Sequence, residues 1–271
     1  MGDASYGLGL SNTWSDEQRR LAGVERLFDP GTFRYLDIIG VSTGMRCLEV
    51  GGGGGSVARW MAERVGSSGT VVVTDLDVSG LVGCARPNVE VRVHDICADA
   101  LVDDFDLIHA RLLLEHLPSR LTVLDKLVAA LRPGGWLLVE DFDLSAWVHL
   151  PPERLLCEPK EFGVVYKKLC AASVEMATAS GWDPEFGRDL PPHLVRAGLD
   201  QVGSEVCTPL IVGGSLQSEF PSLSLHQLRR ALVDAGYMSD GEVDYMINAL
   251  ATPETMVAGY SMVSAWGRRP A

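Results

Sequence analysis

The chain reads as a doubly wound α/β protein, and three observations carry that reading. From residue 45 onward, short apolar runs bounded by Gly, Asp or Pro alternate with helical stretches, as βαβ units around a buried parallel sheet do. Five consecutive glycines, Gly51 to Gly55, stand between the first apolar run and the first of those helical stretches. After residue 142 the alternation stops, and an aromatic, Pro-containing stretch from Trp147 to Phe186 interrupts the pattern before strand-like segments return.

Taken in order, residues 14–40 place apolar side chains at helical spacing (Leu21, Val24, Leu27, Phe28, then Phe33, Leu36, Ile39), with Asp29-Pro30-Gly31 as a break between two helices. Strands follow at about 45–50, 71–75, 89–94, 106–110 and 135–141. The helices between them fall at about 54–65, 78–84 and 119–131, the last stopped by Pro133-Gly134-Gly135. Beyond residue 142 the spacing predicts a helix over 158–180, a core helix over 190–198 and a strand over 203–212. A helical stretch over 222–250 then precedes a final, antiparallel strand over 258–266. The organisation expected is one domain: an N-terminal helical cap (1–44), a core (45–142), and the rest of the sheet (143–271) with helical lid insertions at about 145–187 and 214–256.

Composition narrows the function classes. Hydrophobic residues are 46% and charged residues 22% of 271, the balance of a packed globular chain. A formal charge of −13, with no Lys/Arg cluster longer than a pair, argues against a nucleic-acid partner. The six cysteines lack metal-ligand or disulfide-framework spacing, so no metal is expected and they read as reduced core residues. No secretory leader and no run of 18 apolar residues is present, so the expectation is a cytoplasmic protein without a membrane partner.

The glycine run joins the strand Met45–Val50 to a helix opening at Ser56, so it forms a strand-to-helix turn. Such a turn needs glycine where φ is positive or where a ligand touches the backbone, and the helix N-terminus behind it offers free N–H groups. Gly53-x-Gly55-x-x-Ala58 formally satisfies a dinucleotide pattern, so the glycines alone leave a nicotinamide cofactor open. Asp75 ends the next strand, where a carboxylate can accept both hydroxyls of a ribose, a role shared with dinucleotide sites. Asp95 ends the third strand, suited to an exocyclic amine, with Ile96 to pack on a purine face.

Glu49-Val50-Gly51-x-Gly53-x-Gly55, then Asp75, then His94-Asp95-Ile96, then Leu131-Arg132-Pro133-Gly134-Gly135-Trp136 resemble the ordered motifs of class I S-adenosylmethionine-dependent methyltransferases. The resemblance spans residues 17–142 and implies a Rossmann-like fold and S-adenosylmethionine as cofactor. By that resemblance Gly51, Gly53 and Gly55 shape the turn under the methionine portion, and Glu49 anchors it near the amino group, directly or through water. Asp75 holds the ribose with Leu76 beside the adenine; Asp95 and Ile96 hold the adenine; Ala110 and Arg111 line the methionine end and face the acceptor.

Base candidates at the carboxyl ends of strands four and five are His109, His116, Asp141 and Asp143, with His116 the one selected as catalytic and His109 expected to pack into the sheet. Tyr6 and Trp14 are candidates to fold over the cofactor, and Arg20 to pair with its carboxylate. The expected reaction is methyl transfer to an O, N or C atom of a small organic acceptor, by resemblance to methyltransferases of secondary metabolism and of quinone-type substrates, by a chain that can form a homodimer. The alternatives are an NAD(P)-dependent oxidoreductase, for which no Tyr-x-x-x-Lys pair is present, and a non-catalytic methyltransferase-like binding protein.

Overall fold

A computed structural model describes residues 5–6, 10–11, 14–101 and 104–271. Its centre is a seven-stranded sheet: β1 (Arg46–Val50), β2 (Thr70–Asp75), β3 (Val89–Val93), β4 (Phe105–Arg111), β5 (Leu131–Asp143), β6 (Asp200–Cys207) and β7 (Ser261–Arg268). The strand order is β3-β2-β1-β4-β5-β7-β6. β2 pairs parallel with both β1 and β3, and β4 pairs parallel with both β1 and β5, while β7 runs antiparallel to β6. The Rossmann-like sheet with an antiparallel final strand is therefore as expected. Leu48, Val72 and Ile108 are fully buried, as continuous apolar runs in a sheet covered on both faces must be.

The helices are α1 (Glu17–Ile39), α2 (Ser56–Val65), α3 (Arg120–Ala130), α4 (Lys160–Ala179), α5 (Phe186–Arg196), α6 (Glu219–Asp234) and α7 (Asp240–Leu250). Two compact units divide the chain. One comprises residues 28–142, 186–207 and 262–271 and contains the seven-stranded sheet; the other comprises residues 1–27, 143–185 and 208–261. In the second unit α4, α6 and α7 bury Phe162, Cys170, Leu232, Val243 and Met246 against a small sheet of Cys157–Glu158, Leu210–Val212 and Met256–Ala258.

Several boundaries differ from the sequence expectation. Asp29-Pro30-Gly31 does not break α1, which runs unbroken over 23 residues with Pro30 inside it. Proline removes one backbone hydrogen bond of the helix; the turns around it are held by tertiary contacts, Asp29 and Thr32 to Arg111, and Tyr35 and Leu36 buried in the core. The stretch 78–84 is a 3₁₀ helix rather than an α-helix.

β5 starts at Leu131, before Pro133-Gly134-Gly135, because α3 has already ended at Ala130. Those three residues instead bulge out of register between Phe105 and Leu107, and Arg269 takes up the Gly134 N–H and the Gly135 carbonyl. The single strand expected over 203–212 is split at Pro209 into β6 and a strand of the small sheet. The last strand divides in the same way, into Met256–Ala258 and β7. The stretch 222–250 is two helices, parted at Gly236 (φ +73°) and restarted by a capping box in which Ser239 and Glu242 exchange hydrogen bonds. Of the six cysteines, Cys47, Cys84, Cys157 and Cys170 are buried as expected, whereas Cys97 is exposed and Cys207 half-buried; all are free thiols.

Gly187, in α5, tests the packing of this unit, since a Cβ there would lie 2.4 Å from the Asp141 carbonyl oxygen and 2.7 Å from that of Phe142. Backbone atoms cannot step aside as a side-chain tip can. Gly187→Ala is expected to lower the urea-unfolding free energy by about 1–3 kcal/mol; an unchanged midpoint would show that α5 shifts freely.

Candidate cofactor site

The sequence of β1 to α2 forces the backbone into a tight left-handed path. Gly51, Gly53 and Gly55 have φ of +74°, +53° and +79°, where a Cβ is penalised. Packing adds a second constraint. A Cβ on Gly52 would lie 2.5 Å from Val73 and one on Gly55 2.1 Å from the Cys84 sulfur, while one on Gly53 would meet nothing within 4 Å. The turn is thus closed toward β2 and the 3₁₀ helix and open at Gly53.

Asp75 at the tip of β2 fixes that open position. Its Oδ2 accepts the Gly53 N–H at 3.0 Å and its Oδ1 the Asp77 N–H at 3.1 Å. An ionised carboxylate has about four acceptor directions, so two remain for a diol. Arg59 binds the Gly54 carbonyl at 2.7 Å from inside α2. Leu76, next to Asp75, is 67% exposed, an apolar side chain left in water at the edge of the turn. Asp95 lies beyond the tip of β3, accepting the Cys97 N–H at 2.8 Å, and Ile96 beside it is buried. Asp75, Leu76, Asp95 and the turn thus surround the carboxyl ends of β1, β2 and β3, and the residues fit a nucleoside with a free diol and an exocyclic amine.

Glu49 and Arg111 both enter a buried hydrogen-bond network. Glu49 is 3% exposed and turned onto the face covered by α1, where one of its oxygens lies 2.7 Å from Nδ1 of His109. The other ring nitrogen of His109 lies 3.1 Å from Glu140, and His109 is wholly buried. Glu140 also accepts the hydroxyls of Thr32 and Ser264. Arg111 donates to Thr32 and to Asp29, each at 2.9 Å, and Asp29 accepts the Ser56 hydroxyl at the start of α2. Ala110 points to the opposite face and is fully buried, so only its backbone borders the strand end.

Burial sets the charges of this network. Desolvation pushes Glu49 up, with His109 and Arg111 opposing. It also pushes Glu140 up, but there the hydrogen bond and charge of His109 prevail and hold the group below the ordinary carboxyl range. Burial would drive His109 down, yet its two carboxylate neighbours outweigh it and raise the imidazole to about 9.

The segment after β4 is strained. Leu112 has φ +52°, unusual for a residue with a Cβ, and is held there by its N–H on the Glu140 carbonyl at 2.7 Å. The next N–H, of Leu113, is taken by Asp141 Oδ1 at 3.0 Å, and the Leu113 side chain comes within 3.5 Å of where a Gly51 Cβ would be. His116 ends the short turn Leu114–His116, its side chain 14% exposed and its Nε2 3.6 Å from Glu115. Asp143 caps the turn Leu144–Trp147 through the Ser145 N–H.

Arg20, the candidate for the cofactor carboxylate, is buried in an ion pair with Glu17 at 2.7 Å. Trp14 lines a groove with Asp16, Arg19, Glu219 and His226 in the second unit. The Tyr6 side chain lies outside the described residues. Among the described residues no cluster of His, Cys, Asp or Glu could hold a metal ion, and no helix is long and apolar enough to cross a membrane.

The network of Thr32, Glu140, Ser264 and Asp29 was not singled out in the sequence. One signal was there: Glu49 and His109 are cross-strand partners, and Glu140 is in register with Arg111, two residues along β4 from His109. Side chains on one face of a sheet meet at those positions, but the register is visible only once the strands are paired.

A left-handed glycine turn at the tip of β1, where the strand order reverses toward β4, places the protein among doubly wound α/β proteins built to take a nucleotide-type ligand. A methyltransferase-domain family pattern matches residues 16–183. A methyltransferase of Strobilurus tenacellus is 38% identical over 90 residues, 33% of this chain and 30% of that one. A ubiquinone/menaquinone biosynthesis C-methyltransferase of Laribacter hongkongensis is 35% identical over 124 residues, covering 43% and 50%. A ubiquinone biosynthesis O-methyltransferase of Paraburkholderia phymatum is 23% identical over 248 residues, covering 88% and 91%. The alignments with the first two span half or less of those relatives' own length.

Among solved structures, phosphoethanolamine N-methyltransferase 2 of Haemonchus contortus with S-adenosyl-L-methionine superposes at a TM-score of 0.55 and 16% identity, covering 93% of this chain and 57% of that one. A methyltransferase of Aquifex aeolicus superposes at 0.50 and 18%, covering 93% and 98%. Those two show a shared fold. The chain belongs to the methyltransferase-domain family.

Asp141 carries the testable electrostatic consequence of this region. Burial raises its carboxyl from 3.8 to about 8, the N–H groups of Leu113 and Glu115 opposing. The native state then binds more protons than the unfolded chain between those values, so the contribution of Asp141 to stability falls as pH rises from about 4 to 8. Asp141→Asn, which keeps an acceptor for Leu113, is expected to flatten that fall, with its largest gain in unfolding midpoint above about pH 8. Parallel pH profiles for the two proteins would contradict the assignment.

Proposed function

We propose that this protein transfers the methyl group of S-adenosylmethionine to an O, N or C atom of a small organic acceptor. The observation that carries the reading is the turn Gly51–Gly55, left-handed at three positions, open at Gly53 and pinned there by Asp75. Family membership and the C- and O-methyltransferase relatives support it. When bound, the cofactor supplies a sulfonium methyl group that is already a good electrophile, so the chain has chiefly to align and to exclude water.

In this reading the remaining acceptor directions of Asp75 take the ribose hydroxyls. Asp95 accepts from the adenine amine, Leu76 and Ile96 flank the ring, and the glycine turn lies under the methionine portion. Glu49 and Arg111 act from beneath, through His109 and through Asp29, rather than by contact. The segment Leu112–His116 borders the end of β4, and Leu113 covers Gly51. His116 accepts the acceptor's proton when that acceptor is a hydroxyl or a protonated amine. The net charge of −13 suits a small neutral or cationic acceptor better than a polyanion.

An NAD(P)-dependent oxidoreductase is the second reading, favoured by Gly53-x-Gly55-x-x-Ala58 with Asp75. Isothermal titration with S-adenosylhomocysteine, NADH and NADPH separates the two. Saturable binding of S-adenosylhomocysteine alone is expected, and binding of a nicotinamide nucleotide alone would overturn the assignment. Asp75→Ala is expected to weaken S-adenosylhomocysteine binding by about 1.5–3 kcal/mol for each charge-assisted hydrogen bond lost. His116→Ala is expected to lower kcat by about 10²-fold or more while leaving S-adenosylhomocysteine affinity within about twofold; a variant at full speed returns His116 to packing.

A further inference from the structure

His109 is the most demanding group in the protein that the proposed reaction does not use. It lies in the middle of a polar row crossing four neighbouring strands, Glu49 on β1, His109 on β4, Glu140 on β5 and Ser264 on β7. The row runs directly under the carboxyl ends of the strands that carry the glycine turn and the strained Leu112. Both ring nitrogens face carboxylate oxygens, at 2.7 and 3.1 Å. A neutral imidazole has one N–H and one lone pair, so it can satisfy only one of them. The other contact would set lone pair against lone pair in a site buried from solvent, so with both carboxylates ionised the arrangement requires a second proton on the imidazole.

We propose that His109 is a positioning residue of the cofactor site: its two ring N–H groups, one to Glu49 and one to Glu140, hold the tips of β1, β4 and β5 in the arrangement that binds S-adenosylmethionine, and loss of its proton weakens that binding. This rests on the functional reading above. Glu49 leads into Gly51 after one residue, and Glu140 holds Leu112 through its carbonyl, so the two carboxylates stand beside the two turns that frame the ligand. The raised affinity of His109 for its proton agrees with the geometry.

Asp141, beside Glu140 on β5, is raised by burial to about 8 and titrates in the same pH window, which is why the test compares Glu140→Gln with the wild type; the other ionisable groups around the row are held. Arg111, two residues on in β4, is paired with Asp29 of α1. Tyr35 of α1 and Cys47 of β1 are pushed up by burial, the thiol to about 12, and stay neutral. Cys207 of β6 is raised as well, burial first and the charge of Glu140 next. Glu205 of β6 is engaged by Arg34. None of these held groups offers a competing proton to the imidazole.

Glu140→Gln supplies the decisive variant. The carboxamide N–H₂ can donate to a neutral His109, which then donates to Glu49, and the Thr32 hydroxyl can turn to the Phe28 carbonyl 3.3 Å away. The row is satisfied without the extra proton. The measurement is S-adenosylhomocysteine affinity by isothermal titration from about pH 7 to 10, with ligand-free thermal unfolding over the same range. In the wild type the affinity is expected to fall about tenfold per pH unit once the imidazole titrates, and the unfolding midpoint to fall as pH rises from about 6.5 to 9. In Glu140→Gln both declines are expected to be smaller: the ligand's own amino group still titrates in the binding measurement, but His109 no longer loses a proton in either one.

His109→Gln, with one donor group where two are needed, is expected to bind weakly across the range with no decline of protein origin. Equal declines in wild type and Glu140→Gln would assign the pH dependence to the ligand and overturn the proposal. Should His109→Gln fail to fold, the Glu140→Gln comparison still decides. A wild type that binds no S-adenosylhomocysteine at any pH would overturn both the proposal and the functional reading, whereas binding with equal pH profiles would overturn the proposal alone.

Discussion

Two buried carboxylates facing one imidazole are what the carboxyl end of this sheet is organised around. Glu49 and Glu140 are each nearly without solvent, and neither is tolerable there uncompensated, since an unpaired buried charge costs several kcal/mol, on the order of 3–5 when a partner is removed. His109 compensates both, and Thr32 and Ser264 supply the remaining donors to Glu140. Because the members sit on β1, β4, β5, β7 and α1, meeting their hydrogen-bond requirements also sets where these elements stand relative to one another. Such a network adds little net stability compared with an apolar core of the same shape. What it supplies is a geometry that has few alternatives.

That geometry explains two features which the elements alone do not. Helix α1 continues past Pro30 because its second half is bound by Asp29 and Thr32 to Arg111, and by Thr32 to Glu140. Leu112 holds a left-handed conformation because its own N–H and that of Leu113 are both taken by β5. Backbone strain of this kind costs on the order of 1–3 kcal/mol and persists only where neighbours over-determine it. The glycine turn needs no such support at Gly51, Gly53 and Gly55, where the residue type has removed the penalty. The open side of that turn and the strained segment after β4 are thus positioned by different means, one by residue type and the other by hydrogen bonds.

The motif residues divide along the same line. Asp75 and Asp95 stand at or just beyond their strand ends as their sequence positions indicate, and each accepts a backbone N–H of its own loop, from Asp77 and Cys97, which leaves acceptor capacity outward. Glu49 and Arg111 carry the same family resemblance but are turned inward, onto α1. A carboxylate or guanidinium at a strand tip can face either way, and parity along the strand decides which. For Glu49 the parity matches His109, its cross-strand partner, and the inward face follows.

The sequence by itself determined the class of fold, the glycine turn and the acids after β2 and β3, because these depend on local chemistry: apolar runs of strand length, positive φ that only glycine accepts cheaply, and carboxylates placed at strand ends. It also marked the splits at Gly236 and at Pro209 with the residues that cause them, although the helical stretch 222–250 and the strand 203–212 read as continuous. Only the tertiary structure decided that α1 crosses its proline, that Glu49 and Arg111 face inward, and that His109 meets Glu140. Each of these depends on groups between 31 and 108 residues apart, brought together by strand order and register. Neither the period of a segment nor its residue types contains that information, because register is fixed by the packing of whole strands and helices against one another.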